Sequence, residues 1–523
     1  MYSKLEQRLS AILNSGQLST LAEPKIGLEK ESLRVAASGG IAQTPHPRAL
    51  GSALTNPYIT TDFSEALTEM ITPPCGSIAE ALTFLDDIQK FVYSKLDDEL
   101  LWATSMPCVL EGGDRIPLAQ YGSSNIGTMK TVYRRGLGYR YGRTMQVIAG
   151  VHFNYSLSPG FWEMYSHIEQ NTTGHQAFIS ESYMGLIRNM LRYGWLVPYL
   201  FGASPAVCKS FLQGKRSLLS EFNENTAYEP WATSLRMGDI GYTNNMESMV
   251  GIKANYDSLD DYIRSLRCAI QTPYDGYEQI GVKVDGEYRQ LNANILQIEN
   301  EYYSTVRPKQ PPLDNEKPTD ALARRGIQYV EIRSLDVNAF DPLGINSEQL
   351  YFLEVLVLFC LLQESPALGA DEINEIDMNL IQVAHTGRKP EVDLVRCDES
   401  VRLQQWASEL CDSMQGVAEL LDAANGDTSH SDSLSRQQRK VMDPALTTSA
   451  LMLDEMRKNH EGFFHYAQRK SMEHLNYFNA RQLSADRLRL FEQAVAESWR
   501  QQLAIEQSDT VDFDTYLSRY FAQ

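Results

Sequence analysis

The chain of 523 residues carries 67 acidic and 47 basic side chains, which gives a formal net charge of -20. Its composition, 43% hydrophobic and 22% charged, is that of a folded globular protein and excludes wholesale disorder. Such a charge repels nucleic acid and anionic membranes, so an anionic ligand needs a bound metal or a local group of arginines.

Helical and strand-like segments are partly separated along the chain. Helical periodicity covers residues 1–20, 76–103 and 177–213, and a mainly helical pattern begins at about residue 347. Short strands are predicted at 26–35, 57–63, 145–157, 279–285, 288–299 and 327–336. This separation predicts an α+β fold with a mixed or antiparallel sheet, not a doubly wound one.

Three features bear on where the protein works. The first 18 residues have charges among their apolar positions, as in an amphipathic helix and unlike a signal peptide. The most apolar run, residues 350–362, contains Glu354 and is too short to span a bilayer. The seven cysteines include no CxxC pair and are expected to be free thiols. We therefore expect a cytoplasmic protein that does not bind membranes.

Residues 26–35, IGLEKESLRV, place Glu29 and Glu31 on one strand face beside Leu33 and Val35. Two carboxylates on an otherwise apolar face repel each other and lose hydration, and a divalent cation would relieve both penalties. A solvated strand face is the alternative.

The segment 61–73, TDFSEALTEMITP, adds Asp62, Glu65 and Glu69. In a helix all three share a face, and in a strand Glu65 and Glu69 still do. Their hard oxygen atoms suit Mg2+, and an ordinary acidic helix face is the alternative.

A strand at 327–336 would place Glu331 and Arg333 on the same face. They could form a simple ion pair. In a phosphoryl-transfer site the carboxylate would instead hold Mg2+, while the guanidinium neutralises the transferring group.

The window 133–143, YRRGLGYRYGR, is the most favourable to anions, with four arginines and three glycines that let the backbone approach a ligand. A charged loop that balances nearby acids is the alternative.

In the next predicted strand, Gln146, His152 and Asn154 share a face, which suggests a polar cavity. His152 is either a metal ligand or a core residue. The chain has no Walker A loop, HExxH motif or GxSxG elbow.

Nine segments follow one another in a fixed order: GLEKESLR, ITTDFSEALTEMITP, LAQYGSSNIGTMKTVYRRGLGYRYG, GVHFNYSL, PYLFGASPA, ATSLRMGDIGYTN, LQIENEYY, RPK and YVEIRSLD. Together they resemble bacterial glutamate–cysteine ligases of the proteobacterial branch. The resemblance is dense over residues 20–345 and thins beyond 370.

The resemblance implies that ATP phosphorylates the side-chain carboxylate of L-glutamate and that the amine of L-cysteine then displaces phosphate, the first step of glutathione synthesis. A related ligase with a different amine acceptor is the alternative. The implied fold is similar to the catalytic domain of glutamine synthetase, a curved, largely antiparallel sheet forming a funnel surrounded by helices. A catalytic core over residues 1–370 would carry a helical region, 371–523, packed on it.

The resemblance also implies Mg2+, or Mn2+ in its place, a monomer, and feedback inhibition by glutathione. Its motifs give a metal shell of Glu29, Glu31, Asp62, Glu69, His152 and Glu331. The catalytic group would be Arg333, Glu331 and Arg134. The substrate-binding residues would be Tyr133, Gln146, Asn154, Arg236, Tyr242 and Tyr303.

Overall fold

The computed structural model describes residues 3–213, 217–241, 253–313 and 316–522. Its helices are α1 (Ser3–Asn14), α2 (Ile78–Tyr93), α3 (Asn125–Tyr141), α4 (Pro159–Ile168), α5 (His175–Tyr193), α6 (Leu196–Phe201), α7 (Lys209–Leu212), α8 (Leu259–Gln271), α9 (Asp275–Glu278), α10 (Pro318–Arg325), α11 (Ser347–Leu362), α12 (Ala370–Thr386), α13 (Leu403–Asn425), α14 (Ser429–Met442), α15 (Thr448–Lys458), α16 (Phe463–Ala480), α17 (Ala485–Ser508) and α18 (Phe513–Ala522). Its strands are β1 (Lys25–Val35), β2 (Ile59–Thr61), β3 (Leu67–Ile71), β4 (Leu100–Leu101), β5 (Val151–Ser156), β6 (Ala206–Cys208), β7 (Ser220–Asn223), β8 (Thr226–Tyr228), β9 (Lys283–Val284), β10 (Glu287–Tyr288), β11 (Val306–Lys309), β12 (Tyr329–Leu335), β13 (Asp393–Arg396) and β14 (Glu399–Arg402).

A seven-stranded antiparallel sheet forms the centre of the described structure. Its strand order is β11-β12-β5-β1-β3-β2, and β4 pairs with the end of β1. Helices surround this sheet, and three small antiparallel sheets lie apart from it. The predicted α+β class with an antiparallel sheet is therefore confirmed.

The two faces of β1 have different partners. Ile26 and Leu28 are fully buried in the hydrophobic core. On the same face, the ammonium of Lys30 donates a hydrogen bond to Gln89 Oε1 of α2 at 2.5 Å. Because side chains alternate along a strand, Glu29 and Glu31 project from the other face. The core thus fixes which face of the sheet is left for the polar residues.

The central helix of the core is α11, which the apolar run 350–362 predicted as a buried helix. Its start is fixed by a capping box between Asn346 and Gln349. Its one buried acid, Glu354, accepts a hydrogen bond from Tyr155 of β5 at 2.9 Å and lies 2.9 Å from His430 of α14. These contacts tie the sheet to the carboxyl-terminal helices. No helix in the described ranges is long and apolar enough to cross a membrane.

Several local predictions were wrong. The anion-friendly window 133–143 lies largely in α3, so the alternative interpretation as a charged loop is wrong. Gln146 lies in a single 3-10 turn, Met145–Val147, ahead of β5. The expected strands at 279–285 and 288–299 shrink to the two-residue strands β9 and β10. Their backbone groups are held by turns and side chains, not by a sheet ladder.

The cysteines also differ from expectation. Cys108 and Cys208 form a disulfide with a Cα–Cα distance of 5.4 Å, whereas all seven were expected to be free. The remaining five are free thiols. Because 100 residues separate the paired cysteines, sequence spacing could not reveal that β6 brings them together.

Candidate active site

The register of three adjacent strands gathers polar side chains on one face of the sheet. Glu29 of β1 lies directly opposite His152 of β5, and Asn154 of β5 lies opposite Glu331 of β12. Residues that face each other across an antiparallel pair project to the same side. The pairing alone therefore collects two carboxylates, an imidazole and an amide from distant parts of the chain.

His152 is the centre of this group. Its Nδ1 lies 3.0 Å from Glu29 Oε2 and 3.9 Å from Glu331 Oε1, and its Nε2 lies 3.9 Å from Glu31 Oε1. One ligand atom from each of Glu29, His152 and Glu331 lies within 4.8 Å of the others. That spread allows these three residues to close around one divalent cation with small side-chain movements.

The second half of the acidic group comes from β1 and β3. Glu31 lies opposite Glu69 in the register, and Gly150 N–H donates to Glu31 Oε2 at 2.7 Å. Asp62 follows β2 and lines the same cavity. Glu65 accepts hydrogen bonds from the backbone N–H groups of His46 and Gln120, so it supports loops.

The electrostatics of the carboxylates fit a divalent cation. Burial raises the pKa of Glu31, and burial together with the charges of Glu29 and Asp62 raises the pKa of Glu69 well above its usual range. A cation bound among these carboxyl groups would offset the penalty that burial and mutual repulsion place on their ionisation.

Glu331 has the opposite balance. Burial opposes its ionisation, but the charges of Lys309 and Arg333 outweigh burial and hold its pKa well below its usual range. Lys309 Nζ lies 3.1 Å and Arg333 Nη1 lies 3.2 Å from Glu331 Oε2. The carboxylate is therefore ionised and already surrounded by positive charge.

The sequence interpretation assigned no role to Lys309 or Arg307. Arg307 lies opposite Glu331 in the β11–β12 register, and Lys309 is two residues further along the same strand. Both therefore project to the face that carries Glu331, and both line the cavity. The period-two alternation within the RPK segment was the signal that could have found them.

Arg134 of α3 reaches the opposite side of the acidic group. Its Nε donates to the backbone oxygen of Asp62, and its Nη2 lies 4.0 Å from Asp62 Oδ1. Its guanidinium stacks on Tyr121 at 4.5 Å from the ring centroid. This contact fixes a cation at the rim of the cavity.

Arg236 lies in a tight turn that follows β8 in the chain, and it lines the active-site cavity. Its Nη2 donates to the backbone oxygen of Arg333 at 2.9 Å, and its Nη1 lies 3.7 Å from Asp336 Oδ1. A Cβ atom on Gly150 would stand 2.2 Å from Arg236 Nη2. A side chain at position 150, just before β5, would therefore displace the guanidinium of Arg236.

The other expected substrate residues are only partly brought together. Tyr133 and Gln146 line the carboxylate cavity with Arg236. Asn154 Nδ2 donates to Glu29 Oε1 at 2.9 Å, so it orients a carboxylate. Tyr303 lines a neighbouring cavity, where its hydroxyl lies 3.7 Å from Met237 Sδ. Tyr242 lies outside the described residues.

The cavity has a volume of about 520 Å3, and its lining includes an apolar wall as well as the charged residues. That wall consists of Ile126, Met129, Ile298, Leu313, Tyr516 and Tyr520. The two tyrosines belong to α18, which packs on α3. Sequence reasoning missed this helix as part of the site, although its aromatic residues recur at helical spacing.

The arrangement provides what phosphoryl transfer between anions requires. That reaction depends on positioning and on charge neutralisation more than on a nucleophilic side chain. Five carboxylates and one histidine can hold metal, while arginines and two lysines line the same cavity. An apolar wall in the same cavity as the charged residues suits a nucleotide base.

Comparison with known proteins gives a family. The family model described as glutamate-cysteine ligase matches residues 9–383. The chain is similar to a glutamate–cysteine ligase of Alcanivorax borkumensis, with 48% identity over 99% of both chains. It is similarly related to one of Pseudomonas aeruginosa, with 47% identity over 100% of this chain and 98% of the other.

The fold matches that of a solved relative. A crystal structure of a glutamate–cysteine ligase from Francisella tularensis in complex with AMP superposes with a TM-score of 0.90 and 35% identity, covering 96% of this chain and 98% of that one. Sequence and fold therefore agree over nearly the whole length, and the chain belongs to the glutamate–cysteine ligase family.

Proposed function

We propose that the protein joins the γ-carboxylate of L-glutamate to the amine of L-cysteine at the expense of ATP, the first step of glutathione synthesis. The observation that carries this proposal is the Glu29–His152–Glu331 cluster beside Arg333, in a member of the glutamate–cysteine ligase family. Glutamate attacks the γ-phosphorus of ATP, giving γ-glutamyl phosphate and ADP. The cysteine amine then attacks the acyl carbon and phosphate leaves.

Each side of the cavity has a part in this reaction. Arg333 and Lys309, which both lie beside Glu331, would neutralise the negative charge that builds on the phosphoryl oxygens, and Arg333 is the proposed catalytic contact. Arg134 and Arg236 hold carboxylate or phosphate oxygens, and Gln146 orients the amino-acid substrate. Asn154 acts through Glu29, to which it donates a hydrogen bond.

The proposed metal is Mg2+, with Mn2+ as a substitute, held by Glu29, Glu31, Asp62, Glu69, His152 and Glu331. Oxygen-rich ligands support a hard cation. Such a cation would neutralise phosphate oxygens and let a chain of net charge -20 accept ATP. The apolar wall with Tyr516 and Tyr520 would take the adenine ring.

The proposal is tested by phosphate release from ATP in the presence of Mg2+, glutamate and cysteine. We expect release that depends on both amino acids and a product with the mass of γ-glutamylcysteine. Absence of cysteine-dependent release would contradict it. A panel with ammonia and 2-aminobutyrate decides between cysteine and another amine, and Tyr133 and Tyr303 are the residues to vary if another amine is preferred.

Further parts of the proposal concern the whole protein. We propose a location in the cytoplasm, where ATP and reduced cysteine are supplied. We also propose a monomer inhibited by its pathway product, glutathione. Residues 1–370 would form the catalytic core, with residues 371–523 packed on it. Gel filtration with light scattering tests the monomer, and assays with added glutathione test the inhibition.

A further inference from the structure

A second cavity lies outside the active site, at the carboxyl-terminal end of α12. It has a volume of about 680 Å3 and is bounded also by the β13–β14 hairpin, the start of α13, and α15. We call it the basic cleft, after its residues Arg388, Lys389, Arg402 and Arg457; Trp231 lines it as well. None of these residues takes part in the reaction proposed above.

The charge of the basic cleft is opposite in sign to the net charge of the protein. Its lining contains four basic residues and two acidic ones, Glu391 and Asp454, in a chain of net charge -20. Asp454 is paired with Lys458 at 2.6 Å, and Asp393 lies 3.3 Å from Arg402. Two arginines and a lysine therefore remain without a carboxylate partner among the described residues.

Arg388 is the strongest sign of a missing anion. Its residue is only 8% exposed, and its Nε and Nη2 donate to the backbone oxygens of Ala232 and Pro230 at 3.1 and 2.8 Å. Burial, followed by the charge of nearby Arg457, lowers the pKa of Arg388 to about 10. Two guanidinium groups that approach each other without a counter-charge favour an anion between them.

The amino-terminal end of α13 opens on the same cleft. This helix has 23 residues, no side-chain hydrogen bond at its cap residue Arg402, and no acid in its first turn. Leu403 and Gln404 of that turn line the cleft. The N–H of Leu403 donates to the backbone oxygen of Val392 at 2.8 Å, but no side chain of Arg402 caps this helix start. The remaining N–H groups of a helix start attract anions.

Trp231 adds a planar apolar surface. It is 42% exposed, although tryptophan is usually well buried, and its backbone oxygen accepts a hydrogen bond from Arg388 N at 3.1 Å. An indole beside two guanidinium groups can stack on an aromatic ring whose anionic substituent contacts the arginines.

We propose that the basic cleft binds a small organic phosphate in which an anionic phosphate group is attached to an aromatic ring. The phosphate lies between Arg388, Arg457 and the start of α13, and the ring stacks on Trp231. The site is separate from the catalytic cavity, and the inference does not depend on the proposed ligase reaction.

The basic cleft is connected to the active site by a short segment. Three residues beyond Trp231, the backbone N–H of Ser234 donates to Ala384 O of α12 at 3.2 Å, as Thr233 N–H does at 2.9 Å. Arg236 lies two residues beyond Ser234 and lines the active-site cavity. A ligand in the cleft therefore contacts the segment that positions a substrate arginine.

The test is a fluorescence titration of the full-length, metal-free protein with phenyl phosphate and with inorganic phosphate. No tryptophan is among the described residues that line the active-site cavity, so a response from Trp231 reports the cleft. We expect saturable quenching by phenyl phosphate with a Kd of about 1 mM or tighter. Inorganic phosphate should bind more weakly because it lacks the ring.

Variants then assign the response. Arg457→Ala and Lys389→Ala, both at exposed positions, should each weaken phenyl phosphate binding by about tenfold while keeping Trp231. Arg439→Ala, an exposed arginine on α14, is the matched control and should bind as the wild type does. Trp231→Phe should abolish the quenching. Absence of saturable binding, or binding unchanged in both cleft variants, would overturn the proposal.

Discussion

Lys309 Nζ lies 3.1 Å from Glu331 Oε2, so a lysine of β11 forms an ion pair with the carboxylate that the proposed reaction needs as a metal ligand. Glu331 is 1% exposed, and Arg333 Nη1 also lies 3.2 Å from this oxygen. A lysine and a divalent cation therefore compete for this carboxylate. When nucleotide binds, the phosphate oxygens offer Lys309 another partner, so the competition should end in the loaded enzyme.

Replacing Lys309 by methionine should have two opposite effects. Without nucleotide, Mn2+ should bind about tenfold more tightly, because the competing ammonium is gone. The affinity for a non-hydrolysable ATP analogue should fall by about tenfold, because a phosphate contact is lost. Calorimetric titration measures both. Lys25→Met, at an exposed position on β1, is the control. Unchanged Mn2+ affinity in Lys309→Met would refute the competition.

Glu331→Gln should weaken metal binding while hardly changing the shape of the side chain. We expect weaker Mn2+ binding and a loss in turnover of at least about 100-fold, because an amide oxygen carries no charge to hold the cation. Circular dichroism and cooperative thermal unfolding should show that the fold is kept. Near-normal Mn2+ affinity would exclude Glu331 as a ligand.

Arg333→Lys separates the phosphoryl contact from the metal site. A lysine keeps the charge but loses the planar set of donors, so we expect kcat to fall by about 1000-fold. Mn2+ affinity should stay close to that of the wild type, because Arg333 is not a ligand. A variant that retains most of its kcat would contradict the assigned role.

The sequence predicted the parts of the site that depend on local alternation. The strand expected at 26–35 is β1, Lys25–Val35, and the one at 327–336 contains β12, Tyr329–Leu335. In both, side chains alternate between the two faces of the strand, so Glu29 projects with Glu31, and Glu331 with Arg333. Glu29, Glu31 and Glu331 were found for this reason.

The missed parts depend on contacts between distant residues. The segment 288–299 alternates like a strand, but Leu291 N–H donates to Gln297 Oε1 and Gln297 N–H donates to Glu301 Oε2. Side chains thus replace the sheet ladder, and Arg140 Nη1 of α3 holds Glu301 at 2.9 Å. No local pattern encodes such a partner, nor the approach of α18 to the cavity.

Glu69→Gln should stabilise the metal-free protein while weakening metal binding. In the folded state burial and then the charges of Glu29 and Asp62 oppose ionisation of Glu69, and an amide avoids that penalty. We expect the metal-free Tm to rise by about 2 °C and Mn2+ affinity to fall. Glu224→Gln, at an exposed position, should change neither quantity. A lower Tm in Glu69→Gln would contradict this account.

The last prediction concerns how the turn with Arg236 is held. His385 of α12 lies between two acids that flank this turn, with Nδ1 2.9 Å from Glu229 Oε2 and Nε2 2.9 Å from Asp239 Oδ1. A Cβ atom on Gly238 would stand 2.6 Å from the imidazole, so the turn packs closely on it. We expect His385→Gln to raise the KM of an amino-acid substrate by about tenfold, with little change in Mn2+ affinity.

The hydrogen bond to Glu229 raises the pKa of His385, and burial opposes that effect. A raised histidine pKa means that the contribution to stability is complete below the unfolded value of about 6.5 and is lost as pH rises through the folded value. The wild-type KM should therefore increase with pH above about 6.5, whereas His385→Gln should show a flatter profile. His175→Gln, an exposed histidine at the start of α5, is the control. Parallel KM profiles for the wild type and His385→Gln would show that the imidazole does not position the turn.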